Sequence, residues 1–205
     1  MRIMARLLAL WACALATLFT SVAAEEPGRS VVFDDPLGQV EVGLPPIAGE
    51  LDQTSRELAP KLTKELRFVS KSGPAAVLVS TRIRADLPKD DRVLERVAPR
   101  YANFKQEHSA DDVVLEFRGE SPHRTLEFAL AGGEYSEAFP FVIGGEIGRD
   151  DPPKSVTISQ FFVASDRMFE LALYLPNDDK SAKGDLLTRA RKTADTWRAT
   201  IAVKK

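Results

Sequence analysis

The sequence predicts an α+β domain: a mostly antiparallel sheet with covering helices, an α/β/α sandwich, closed by a C-terminal β-hairpin and an amphipathic helix. Three observations carry that prediction. First, Val156, Ile158 and Phe162 alternate along one stretch, and Phe169, Leu171, Leu173 and Leu175 alternate along the next. A turn at Ala164-Ser165-Asp166-Arg167 then pairs Phe162 with Phe169, Ile158 with Leu173 and Val156 with Leu175. A one-residue slip would set Phe162 opposite Glu170 and turn half the apolar set outward, so the register is well specified. Second, Leu186, Leu187, Ala190, Ala194, Trp197 and Ile201 fall on one helical face. Third, 205 residues with an apolar fraction of 44% suit one domain with its own core.

The chain starts differently. Arg2 and Arg6 precede a nearly continuous apolar run from Leu7 to Thr20, and Val22-Ala23-Ala24 offers small residues where a signal peptidase reads. Residues 1–24 therefore read as a secretory signal peptide cleaved after Ala24, and 25–205 as a single α+β domain, exported to the periplasm or secreted. An uncleaved anchor is the alternative, but the run is short for a span of about 20 residues. Cys13, the only cysteine, lies inside this leader. Lipidation there would place Trp11-Ala12 at the cleavage site, a poor fit, and the apolar run continues past it. The mature chain then has no disulfide, thiolate nucleophile or Cys-ligated metal site. It carries 26 basic against 30 acidic residues, a net of −4, with no basic block. That balance argues against nucleic acid or an anionic membrane surface as partner, and no stable membrane anchor is expected after cleavage.

The mature elements follow in order. Glu25 to Ser30 is a polar lead. Val31-Val32-Phe33 pairs with Val40, Val42 and Leu44 across the turn Asp34-Asp35-Pro36-Leu37-Gly38, and Pro45-Pro46 ends the hairpin. Ile47, Leu51, Leu58, Leu62 and Leu66 lie on one stripe and predict a helix, kinked or restarted at Pro60. Lys71-Ser72-Gly73-Pro74 is a turn, and Val77, Val79, Thr81 and Ile83 make a strand with one wet face. Asp90 and Asp91 open a second helix, whose stripe is Val93, Leu94, Val97, Tyr101 and Phe104, interrupted at Pro99. Strands follow at Val113 to Phe117 and Leu126 to Leu130. Gly132-Gly133 reads as a hairpin turn, Tyr135 to Ile143 as a strand with an edge or bulge at Pro140, and 144–153 as a surface loop. Ala202 to Lys205 is a tail.

No catalytic, cofactor-binding or metal-ligating residue is assigned. His108 and His123 lack the clustered ligands of a zinc site. Gly-x-Ser-x-Gly is absent, and Ser121 near His123 is proximity in sequence, not a catalytic arrangement. No Lys-Ser/Thr follows the glycines of Gly132-Gly133 or Gly144-Gly145-Glu146-Ile147-Gly148, so neither is a P-loop. Asp-Asp occurs five times, at 34–35, 90–91, 111–112, 150–151 and 178–179. Each pair falls at a turn or helix start, where Asp bonds local backbone; calcium binding is the alternative use. Among the aromatics Phe139, Phe141, Phe161, Phe162 and Phe169, Phe161 and Phe162 point to opposite faces of one strand, so a second layer covers the face that Phe161 shares with Val163, Ala172 and Tyr174, unless it is a binding surface.

Phe169-Glu170-Leu171-Ala172-Leu173-Tyr174, followed by a helix reaching Thr196-Trp197-Arg198, resembles the end of the PsbP-like α/β/α sandwich superfamily, which includes bacterial DcrB-type envelope proteins. Its members often carry Ser-Phe where this chain has Thr196-Trp197. The superfamily shares no catalytic constellation, so the resemblance implies an accessory or binding role and transfers no site residue. The expectation is an exported, non-enzymatic binding module whose partner is a cell-envelope protein. A carboxylate-dependent hydrolase, with two acids facing across about 5–10 Å, or a small-ligand carrier with an apolar pocket, are the alternatives.

Overall fold

The computed structural model describes residues 29–107, 112–136, 138–140, 144–148 and 150–204. Residues 1–28, which include the expected signal peptide and Cys13, lie outside the described residues, as do His108, Asp111 and Phe141. The chain runs β1 (Ser30–Asp35), β2 (Gly38–Gly43), β3 (Leu51–Ala59), β4 (Thr63–Ser70), β5 (Ala75–Arg82), a 3₁₀ turn (Asp91–Arg96), α1 (Pro99–Glu107), β6 (Val113–Arg118), β7 (Thr125–Glu134), β8 (Gly144–Ile147), β9 (Ser155–Ala164), β10 (Arg167–Pro176), α2 (Lys183–Arg198) and β11 (Ala202–Val203). One antiparallel sheet has the order β3-β4-β5-β10-β9-β7-β6, with β8 added to β7; a second, smaller sheet is β1-β2-β11. The fold is α+β and mostly antiparallel.

The C-terminal hairpin has the expected register, Phe162 opposite Phe169, Ile158 opposite Leu173 and Val156 opposite Leu175. Ser165 and Asp166 both take positive φ, 49° and 63°, which matches the twist of a two-residue loop. The front of the sheet buries Leu66, Phe68, Leu78, Ile158, Phe169 and Leu171 against Val40 and Val42 of β2 and against Leu186, Ala190, Ala194 and Trp197 of α2. Trp197 packs edge-on to Phe68 at 5.9 Å and donates its indole N–H to the Gly43 carbonyl at 2.8 Å. The back is also covered. Phe161 and Leu126 meet Ile83, Val93, Leu94 and Val97, while Val77, Val79 and Ala172 meet Phe139. Phe161 and its neighbours are therefore core, under a second layer.

Several expectations are corrected. The segment 47–66 is not a helix: β3 and β4 form a hairpin there. The leucine stripe matched a helical period by coincidence, because in β4 Leu66 and Phe68 face front while Glu65 and Arg67 face back. Pro60-Lys61-Leu62 is the hairpin turn, Lys61 at φ 56° with its N–H held by the Glu57 carboxylate at 2.7 Å. β5 has no wet face up to Ser80, since it lies in mid-sheet with both sides packed. The second helix divides into the 3₁₀ turn and α1, which starts at Pro99, a position where proline's missing N–H costs nothing.

Gly132-Gly133 does not turn a hairpin. Both glycines, at φ 96°, sit inside β7 at a register shift where Gly132 pairs with Ile147 and Glu134 with Gly144. Across this bulge β7 pairs with β8, while Ser155 at the start of β9 still donates to the Gly133 carbonyl at 2.7 Å. Consequently 138–140 is a turn rather than strand, and 144–147, read as loop, is strand. The tail is likewise structured, with Ala202 and Val203 paired to Glu41 and Val40.

Candidate functional site

The paired aspartates separate into two kinds. Asp34, Asp90, Asp150, Asp151, Asp178 and Asp179 stay at the surface or at caps; Asp90 accepts the Arg92 N–H at 3.1 Å. The carboxylates of Asp35, Asp91 and Asp112 instead are enclosed in ion pairs, a role beyond the expected turn and capping one, although Asp35 also keeps a local turn bond to the Leu37 N–H. Asp35 accepts from Arg167 Nη2 at 3.0 Å, Ser80 Oγ at 2.6 Å and the Leu37 N–H at 2.8 Å. Burial opposes its charge, but the bonds from Arg167 and Ser80 outweigh that and hold the carboxyl below its usual range. Asp91 is held by Arg124 Nε at 2.6 Å and Ser121 Oγ at 3.0 Å; Asp112 is paired with Lys183. The Ser121 hydroxyl is thus committed to a carboxylate, while His123 is exposed on the same loop. Among the described residues no three His, Cys, Asp or Glu side chains converge as a metal-ligand group.

A larger network ties α2 to the front of the sheet. Glu127, fully buried on β7, accepts from Arg118 Nη1 at 2.6 Å, Arg191 Nε at 2.8 Å and Gln160 Nε2 at 3.1 Å. Gln160 also donates to Asp195 at 2.8 Å, and Arg118 reaches Asp195 at 3.1 Å. These groups neutralise one another, so the network reads as structural.

The back face holds one carboxyl with a different environment. Cross-strand pairing places Arg56, Glu65, Val79, Glu170, Phe161 and Leu126 in one row. Glu65 is clamped by Arg56 at 2.9 Å and Arg67 at 3.0 Å, and Arg67 also donates to the Tyr135 hydroxyl at 2.9 Å and to the Phe139 carbonyl. Glu170 is 7% exposed, and Ser159 Oγ at 3.3 Å is its one hydrogen-bond donor among the described residues. Burial pushes its carboxyl up to about 7, only partly offset by Ser159 and by the charge of Arg100, with the Glu65 charge adding to the rise. Tyr101 of α1, whose ring packs at a tilt against Phe128 and Phe161, is raised by its own burial and then by Glu170. A carboxyl that titrates near neutral pH can donate a proton or respond to pH.

The most open feature lies at the other end of the sheet. Among the described residues β3 has β4 as its sole neighbour in the sheet, and Asp52 to Glu57 are six consecutive exposed residues. Its outer backbone N–H and C=O groups therefore form a row facing solvent. At the opposite edge, β6 packs beside α1, and Lys105 Nζ caps the Leu115 carbonyl at 3.2 Å. Next to β3 a groove of about 570 Å³ runs between the two sheets, lined by Val31, Leu44, Ile47, Leu51 and Gln53 with Phe68 beneath. Sequence reasoning missed both the edge and Glu170: a polar strand has no apolar period, and Glu170 alternates like an outward residue. No helix of the described residues is long and apolar enough to cross a membrane.

No family model and no curated protein matches the chain. Among solved structures it is similar to the solution structure of cyanobacterial PsbP (CyanoP) from Synechocystis sp. PCC 6803, at 11% identity over 89% of this chain and 98% of that one, with a TM-score of 0.45.

Proposed function

We propose that the chain is an exported, non-enzymatic binding module of the cell envelope, of the DcrB type, which engages protein through the open edge of its large sheet. The observation that supports this is β3: a strand whose residues 52–57 are all exposed and whose outer edge has no neighbouring strand among the described residues. Such an edge offers main-chain hydrogen bonds for affinity and alternate side chains for selection. The test is affinity capture of the tagged protein from its exported fraction, with mild crosslinking and mass spectrometry. It is run in parallel on a variant carrying Gln53→Lys and Ser55→Lys, lysines being a natural block on exposed edges. A bound protein lost in the variant, whose melting curve is unchanged, supports the proposal; identical captures from both forms refute it.

One observation favours a second use, the carboxylate-dependent hydrolase. Glu65 and Glu170 share a face two strands apart, about 10 Å between backbones, and Glu170 has the raised pKa of a general acid. Turnover of glycoside substrates that titrates near neutral pH and is abolished by Glu170→Gln would favour it; its absence leaves the binding module.

A further inference from the structure

Taking β3 as the contact surface proposed above, we infer that its occupant is a second copy of the same chain, the two β3 strands pairing antiparallel about a two-fold axis through Thr54. A closed two-fold contact is self-complementary, so each residue must suit its mate by symmetry. With Thr54 on the axis, Asp52 of each copy opposes Arg56 of the other, Gln53 opposes Ser55, and Thr54 opposes itself. Two opposite-charge pairs and a Thr–Thr pair result, each a favourable cross-strand combination.

The competing registers are worse. An axis through Asp52 sets Asp52 against itself, and one through Arg56 sets Arg56 against itself. Axes through Gln53 or Ser55 make no opposite-charge pair within β3. Registers between these would mismatch the two faces of the strands. Backbone regularity selects the same centre. β3 pairs with β4 without interruption from Leu51 to Glu57, and the register shifts only beyond Glu57. That regular window is symmetric about Thr54.

The side chains are free to take these roles. Asp52 is exposed. Arg56 keeps 53% of its side chain exposed while contacting Glu65 at 2.9 and 3.1 Å, and a guanidinium has five donors, so it can also receive Asp52. Glu57, which would face Leu51, is turned into its own hairpin by the Lys61 N–H. The paired strands would join the two large sheets into one continuous sheet.

The test uses the full chain with Cys13→Ser, leaving no other cysteine. Opposed residues of an antiparallel pair have Cα atoms about 4.5–5.5 Å apart, within disulfide range. Thr54→Cys, oxidised with copper–phenanthroline and oxygen, is expected to yield covalent dimer, and Glu57→Cys, remote from its own symmetry mate, is not. By sedimentation from micromolar to millimolar protein, the parent chain is expected to dimerise reversibly, and Asp52→Arg to weaken the dimer about tenfold by opposing like charges. A monomer throughout, with Thr54→Cys no more crosslinked than Glu57→Cys, overturns the inference. A dimer that crosslinks equally at both positions, or ignores Asp52→Arg, also overturns it. If self-pairing fails while the lysine variant still loses a captured protein, β3 remains a contact surface with another occupant; if capture is unaffected as well, both proposals fall.

Discussion

Glu170 permits a quantitative prediction. Its carboxyl is 7% exposed on the back of the sheet, opposite Val79 and Phe161, with Ser159 as hydrogen-bond donor and the charges of Arg100 and Glu65 acting on it. Folding raises its pKa from 4.5 to about 7. The folded state therefore holds a proton that the unfolded state has released. The stability this confers is fully present below about pH 4.5 and is lost as pH rises through about 7. The shift is worth about 3 kcal/mol. Glu170→Gln replaces the protonated acid by an uncharged group of the same shape. Relative to that variant, the parent protein should lose about 3 kcal/mol between about pH 4 and about pH 9. Urea unfolding of both proteins at a series of pH values measures this, and contributions from all other titrating groups cancel in the difference. A difference that stays flat to within about 0.5 kcal/mol would show that Glu170 is solvated or paired as an anion, and the account of its environment would be wrong.

Other consequences are open to similar measurement. Trp197→Ala removes the ring between α2 and Phe68 together with its bond to Gly43, and should cost about 3–5 kcal/mol in denaturant unfolding. Asp35→Asn leaves Arg167 buried without a counter-charge and should cost about 3–5 kcal/mol at neutral pH. Because Asp35 is held below 3.8 when folded, its contribution is present above that value and lost on acidification, so the variant should unfold in acid with a shallower pH dependence. Ser165→Asn combined with Asp166→Gly suits the positive φ values of that loop and should raise stability by about 1 kcal/mol, read as a higher denaturant midpoint.

The legible parts of the fold were those where burial and period coincide. In β9 and β10 one face is apolar on alternate residues and the loop is two residues long, so pairing could be read to the residue. The same logic found the buried face of α2. It failed at β3, where Asp52 to Glu57 carry no apolar alternation because neither face is covered, and the flanking leucines imitated a helix. It failed at Gly132-Gly133, where the sequence of a turn serves a bulge whose partner, β8, is four residues long. Among the candidate groups, the proximity of Asp35 to Arg167 spans 132 residues and has no local trace. Glu170 alternates with Phe169 and Leu171 as a solvent-facing residue would, and only the cover over Phe161 makes that side dry.

The smaller sheet has a bearing on the order in which the molecule is made. Its three strands come from the two ends of the described chain: β11 completes the ribbon of β1 and β2, Thr200 Oγ1 accepts the Gly43 N–H at 3.0 Å, and Trp197 reaches the Gly43 carbonyl. Those contacts bridge 157 and 154 residues. A chain emerging N-terminus first cannot close this clasp until its last turn of helix has arrived, whatever has already collapsed behind it. Val40 and Val42 can meet Leu66 and Phe68 earlier, but the hairpin they belong to lacks its third strand and the Trp197 contact until α2 and β11 are made.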